Sequence, residues 1–188
     1  TKAINILAAW DRRSASNSVA TTLAIHWAER IVPMIMRGKR ESVDMSLELS
    51  RGLKEMPDAT KIGVLMDVIK KLKSDFGTWE MAWGEINRFQ RIENSLKPKF
   101  DDNQPSIPSP FASSTWGSLP SYNSRFYPNT KKRYGYGGNS FVCAVEFGKK
   151  IKAKSLLAGG ESGNPQSKHF KDQADMYTKG QFKDVLFY

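Results

Sequence analysis

Cysteine is almost absent. The single Cys143 among 188 residues excludes an internal disulfide framework and any metal site built from several thiolates. Histidine is nearly as scarce, and His26 and His169 stand too far apart for a local zinc motif. No apolar run approaches the roughly 20 residues that a membrane-crossing helix needs, so no membrane partner is expected. The chain opens on Thr1-Lys2-Ala3-Ile4 without initiator methionine, signal peptide or targeting tail, and reads as a piece of something longer. Acidic side chains are in deficit, with 19 Asp and Glu against 29 Lys and Arg, giving a formal charge of +10. Apolar residues are not lacking: 39% hydrophobic and 11% aromatic exclude a disordered chain. At this length about 70% of the unfolded surface can be buried.

The positive excess is concentrated. The stretch from Arg125 to Lys154 holds eight basic side chains and one acidic. Lys and Arg neutralise phosphates and release counterions, so a basic nucleic-acid-binding module is one reading of this stretch. A solvated face, or a seam against an acidic partner segment, is the other.

The first half reads as helices. Val19, Leu23, Trp27 and Ile31 recur every four residues and draw one apolar stripe. Pro33, just past it, should stop or kink that helix. Met45, Leu49, Leu53 and Met56 repeat the pattern up to Pro57. Asp58 or Thr60 can cap a third segment, in which Ile62, Leu65, Met66, Ile69, Leu72 and Phe76 fit a 3.6-residue period and Gly77 closes the helix. Thr78 opens a fourth, with Trp79, Trp83, Ile86 and Phe89 on one side. Residues 1–95 are therefore expected to form a helical subdomain.

The texture then changes. Pro98, Pro105, Pro108, Pro110, Pro120 and Pro128 exclude helix or central strand. Six aromatic residues between Phe100 and Tyr127 argue for a long ordered loop, over residues 96–138, pinned to a surface by its rings. Residues 139–188 read as strands. The run 140–147 (SFVCAVEF) has apolar residues on both faces, as in a strand buried on two sides. Gly148-Lys149-Lys150 should turn it into 151–158 (IKAKSLLA), forming an antiparallel hairpin. A glycine-rich loop, 159–165, follows, and 182–188 is a last strand in which Val185, Leu186 and Phe187 need burial. The fold class is α+β, and the three parts make one incomplete domain.

Few residues offer chemistry on their own. Gly159 to Asn164 could cradle a phosphate, but no Gly-Lys-Ser/Thr follows, and a tight turn is the simpler account. The run 134–142 shares the aromatic and glycine texture of an RNA-recognition strand, without the required βαββαβ order. His26, between apolar neighbours, reads as structural. His169 has Asp172 three residues on, a spacing that could orient a general base, but no nucleophile can be named to go with it. Cys143, mid-strand, reads as a buried inert thiol. Thr1 could act as a nucleophile with its own α-amine as base, although some residue must begin any chain.

The order of motifs says more. Trp10-Asp11, then Trp83-Gly84-Glu85-Ile86-Asn87-Arg88, then Gly138-Asn139-Ser140, then Gly159-Gly160-Glu161-Ser162-Gly163-Asn164-Pro165 with Ser167-Lys168-His169-Phe170-Lys171-Asp172-Gln173 resembles the penicillin acylase family. The likeness is nearest its acyl-homoserine lactone acylase-like branch and runs over essentially the whole chain. The resemblance implies an N-terminal nucleophile hydrolase with a four-layer αββα sandwich. A precursor would cut itself into an α and a β chain, exposing a serine that cleaves an acyl group from an amide, the side chain of a β-lactam or an N-acyl-homoserine lactone, through an acyl-enzyme. Backbone N–H and an asparagine would form the oxyanion hole.

The same resemblance places this chain in the C-terminal portion of the β chain. Nucleophile, oxyanion asparagine and the carboxylates for a structural calcium ion would all lie upstream. No catalytic, cofactor-binding or metal-binding residue is therefore carried over onto any position here. The expected partners are the remaining β-chain segment and the α chain of the same precursor, with an acyl-amide as substrate of the complete enzyme and nucleic acid not expected. The expected location is periplasmic or secreted.

Overall fold

A computed structural model describes residues 2–39, 44–95 and 97–186. They fall into two compact units, one of residues 1–13 with 19–81 and one of residues 14–18 with 82–188.

The first unit is helical: α1 (Lys2–Ala8), α2 (Val19–Met36), α3 (Met45–Glu55) and α4 (Asp58–Phe76). The predicted stripe of α2 is buried through Leu23 and Ile31, and α4 contributes Leu65, Val68 and Leu72. Trp27 Nε1 donates to the Lys61 carbonyl at 2.9 Å, tying α2 to α4. α3 comes close to α2 because residue 52 is glycine: a Cβ there would meet Ile35 Cγ2 at 2.4 Å. Asp44 caps α3, accepting from the N–H of Ser46 at 2.9 Å and of Leu47 at 3.1 Å. Gly77, at φ 78°, closes α4 as expected.

Two expectations are corrected here, and one helix is new. Pro33 does not end its helix, which runs on to Met36 and buries Ile35; burial on both sides of the proline outweighs the one ladder bond it forfeits. Asp58 does not cap α4 with its side chain but begins it, and its carboxylate pairs with Lys61 at 2.8 Å. α1 was not foreseen, since it buries Ala3 alone and shows no apolar stripe. The apolar repeat of α3 does make a helix, yet Met45, Leu47 and Leu53 are exposed on it.

The second unit holds two sheets. α5 (Trp83–Ile86) is one turn, and the chain then extends as β1 (Asn87–Phe89). The fourth helix expected across Phe89 is thus a strand from Asn87 on. Four apolar residues at helical spacing are too few to separate the two states, and in the strand the side chains of Asn87 and Arg88 bond to carbonyls of Ser106, Ser109 and Phe111. β1 lies between β2 (Ile107–Pro108), antiparallel to it, and β4 (Arg133–Gly138), parallel to it, and β3 (Tyr122–Phe126) completes the order β2-β1-β4-β3.

Residues 96–138 are therefore more than a loop. Their prolines fall almost wholly outside the strands, leaving β3 and β4 free of them. β3 and β4 pack tightly because β4 has little side chain: a Cβ on Gly135 would meet the Tyr122 ring at 2.4 Å, and one on Gly138 would meet the Ser121 carbonyl oxygen at 2.1 Å.

The second sheet joins β5 (Phe141–Glu146), β6 (Lys152–Leu157) and β7 (Lys183–Val185), all antiparallel. The expected antiparallel hairpin forms, with Phe141 facing Leu157 and Glu146 facing Lys152. β5 is not buried on two sides, however: five of its six residues are exposed, and among the described residues β6 is its one neighbouring strand. Val142 alone packs on the core, and Cys143 is exposed rather than buried. Val185 and Leu186 are likewise exposed, and Phe187 and Tyr188 lie outside the described residues. Between the sheets, Tyr122, Leu156 and Tyr177 form a core with Phe89, Phe111 and Val142. Tyr177 comes from α6 (Ala174–Thr178), a short helix after the glycine-rich loop.

Replacing Leu23, fully buried, with alanine is expected to cost about 3 kcal/mol in chemical denaturation. Leu47→Ala, at a position 66% exposed, should cost about 0.5 kcal/mol or less.

Candidate functional site

Residues 87–91 (NRFQR) organise the second unit. Asn87 is fully buried, and its Nδ2 donates to the carbonyls of Ser109 and Phe111, both at 2.9 Å. Arg88 donates from Nη1 to Gly84 O at 2.8 Å and from Nη2 to Ser106 O at 2.5 Å. The Gln90 amide donates to Asp101 O at 2.8 Å, and its oxygen accepts from Asp101 N at 3.0 Å. Arg91 donates to the carbonyls of Gly160 and Ser162, both at 3.2 Å, and to that of Phe170. Its guanidinium lies 4.2 Å from the Phe170 ring centroid. Four side chains thus satisfy backbone groups of three separate loops, and each carbonyl so bound is spared the cost of an unmet acceptor.

The glycine-rich loop is shaped by the same contacts. Gly159 has φ 89°, and a Cβ on Gly160 would come within 2.2 Å of the His169 carbonyl oxygen. Ser162 N donates to His169 O at 3.0 Å, and Gln173 N donates to Gly159 O at 2.7 Å. Gln173 Nε2 and Lys183 Nζ both reach Glu161 Oε1 at 3.0 Å. These bonds hold the Glu161 carboxyl below its usual range, Lys183 first and Gln173 next. The loop therefore folds back on the segment 167–173 with its carbonyls turned to Arg91, the opposite of an anion nest.

His169 and Asp172 do meet. Nδ1 of His169 is 2.7 Å from Asp172 Oδ2, and both are exposed. Among the described residues, no hydroxyl or thiol bonds to that imidazole. His26 Nδ1 is bonded to Thr22 O at 2.8 Å within α2, which makes it structural, as expected. Thr1 lies outside the described residues.

The basic stretch from Arg125 to Lys154 is largely engaged. Arg133 is buried, donates to Ser124 O at 2.8 Å and lies 5.4 Å from the Trp83 and Phe126 centroids. Arg125 lies 4.9 Å from the Tyr127 ring and 5.0 Å from that of Tyr136. Lys152 and Lys154 pair with Glu146 and Asp184 at 3.8 and 3.5 Å.

A cleft of about 280 Å³ opens beside the aromatic core, lined by Phe89, Tyr122, Ala158 and Tyr177 together with the glycines of β4. The Tyr122 hydroxyl donates to Arg88 O at 2.7 Å and accepts from Gly135 N at 3.0 Å, which links the cleft wall to the polar hub. Burial raises the pKa of Tyr122. Burial, then the bond from its hydroxyl to Asp102 Oδ1 at 2.8 Å, raises that of Tyr134. Burial alone pushes Tyr177 up to about 12.

The hub residues Asn87, Gln90 and Arg91 were not singled out as site residues from sequence. Their only signal was polar side chains inside an apolar-flanked run, next to the Trp-Gly motif.

Arg91→Ala leaves three loop carbonyls without this donor and should cost about 2–3 kcal/mol, with new proteolytic cleavage within residues 159–173. Arg91→Lys, a single point donor, should restore less than half of the loss. In alkaline titration at 295 nm, Tyr122, Tyr134 and Tyr177 should stay protonated past their ordinary value of 10.0, and Tyr177→Phe should remove the phenol that ionises near pH 12. Because all three folded-state values are raised, their contribution to stability is full below pH 10 and is lost as the pH rises through the folded values.

One family model, described as penicillin amidase, matches residues 1–188, the whole chain. The motif residues whose geometry is described above, from Trp83 and Gly84 through Asn87 and Arg88 to Gly160 and His169, all lie within that match. The chain belongs to the penicillin amidase family.

Proposed function

We propose that these residues are the C-terminal portion of the β chain of an N-terminal nucleophile acylase and supply its framework, while the reacting groups come from other polypeptide. The family implies hydrolysis of an amide. The finer reading is cleavage of an acyl group from a β-lactam side chain or an N-acyl-homoserine lactone through an acyl-enzyme, in a four-layer αββα sandwich of the acyl-homoserine lactone acylase-like branch. Periplasmic or secreted location and association with the rest of the β chain and the α chain belong to the same proposal.

One observation carries it: the polar side chains of residues 87–91 are spent on the chain's own backbone. Asn87, Arg88, Gln90 and Arg91 donate to carbonyls, and the His169 imidazole is held by Asp172 on an exposed surface. A catalytic set would instead aim donors at an open position where charge develops. A structural calcium ion of the complete enzyme would draw its carboxylates from that other polypeptide. Asp102 is already committed to Tyr134 and to Lys131 N.

The test is release of free amine from penicillin G and from an N-acyl-homoserine lactone. The complete enzyme should turn over at least one of them, through a serine outside these residues. His169→Ala in the complete enzyme should leave kcat per folded molecule within about twofold, and the 188-residue chain alone should release none. Turnover by the 188-residue chain that disappears with Thr1→Ala or His169→Ala would overturn the proposal.

A further inference from the structure

The outer edge of β5 is bare. Ala158 N donates to Ser140 O at 2.7 Å, and the register that sets Phe141 opposite Leu157 makes Ser140 and Ala158 directly opposed. That pair is therefore of the hydrogen-bonded kind. Bonded and non-bonded pairs alternate along an antiparallel ladder, so Val142, Ala144 and Glu146 turn their N–H and C=O groups toward β6. Phe141, Cys143 and Val145 turn theirs away. The sheet order β5-β6-β7 places no strand on that side among the described residues.

The same three residues share one face of the strand. Phe141 is 59% exposed and Val145 43%, and Phe147, which continues the alternation, is 83% exposed. Folded proteins protect a free edge with charge, proline or a bulge. β5 has no proline, its register with β6 is unbroken, and its one charge, Glu146, alternates onto the other face and lies 3.8 Å from Lys152.

We infer that this edge takes an added β-strand from the remaining polypeptide of the same acylase. This inference rests on the proposed place of the chain in a larger enzyme. The added strand is extended, free of proline, apolar at alternate positions, and carries carboxylates where it passes the turn at Lys149 and Lys150. The charge follows from the turn: Lys152 and Lys154 are paired with Glu146 and Asp184, whereas Lys149 and Lys150 have no carboxylate partner among the described residues. A second copy of the chain is the poorer occupant, because a formal charge of +10 opposes self-association. Backbone bonds would supply the register, and the Phe141, Cys143 and Val145 face the apolar contact, as in strand addition generally.

Hydrogen exchange and thiol reactivity in the complete enzyme test this without reference to activity. Amides of Phe141, Cys143 and Val145 should exchange about 100-fold or more slowly than unprotected amides, and Cys143 should react with a disulfide reagent only after denaturation. Val142, Ala144 and Glu146, bonded to β6, report that the hairpin is folded. Protection at these three with free exchange at Phe141, Cys143 and Val145 would overturn the inference.

Lys149→Glu combined with Lys150→Glu should speed exchange at Val145 by about tenfold. An unchanged rate would overturn the acidic character of the added strand. Outer-edge protection that appears in the 188-residue chain only as its concentration rises would instead identify a second copy as occupant and overturn the assignment to the acylase. If the chain alone hydrolyses acyl-amides, the functional proposal fails, and the exchange pattern still decides the edge.

Discussion

The second unit depends on a run of buried and half-buried polar side chains where a sheet would ordinarily place apolar ones. Asn87, Arg88, Gln90 and Arg91 occupy and extend a three-residue strand, and between them they bind the loops around residues 101–111 and 160–170. Loops carry backbone groups that must be satisfied or remain in water. Here much of the satisfaction comes from one short stretch, so the loops share a common origin in addition to the bonds within them. The arrangement has a large stake in a low-dielectric interior, since a donor removed leaves an acceptor with no replacement.

The aromatic core and the polar hub are coupled through one hydroxyl. Tyr122 is packed with Leu156 and Tyr177 on its ring and bonded to Arg88 O and Gly135 N at its tip. Its ring can lie across β4 only because residue 135 has no side chain. The glycines at 135 and 138, within a run that in the sequence had the look of a nucleic-acid strand, are thus explained by packing. The same holds for Arg133, whose charge belongs to the basic stretch but whose guanidinium is enclosed by Trp83 and Phe126.

Much of the helical unit was legible because its signals are local. The Leu23 and Ile31 stripe and the left-handed glycine at 77 depend on residues a turn or two apart. The hairpin of β5 and β6 was legible for the same reason. The burial of β5 was not, because apolar composition states what a strand could bury and says nothing of whether a neighbour is present. Nor was β1, whose side chains reach carbonyls up to 24 residues away, as the bond from Asn87 to Phe111 shows. Of the candidate site, the His169 and Asp172 contact was readable from spacing. The role of Arg91 was not, since nothing in its neighbourhood marks the partners it holds.

Gly160 has a consequence for how such motifs are read across relatives. The atom that excludes a side chain there is the His169 carbonyl oxygen, part of the main chain, which no rotamer change can move aside. Selection on the shape of this corner would keep the glycine in a descendant that had lost every trace of turnover. A pseudoenzyme and a working acylase would then be indistinguishable by this signature, which records ancestry and architecture and is blind to chemistry.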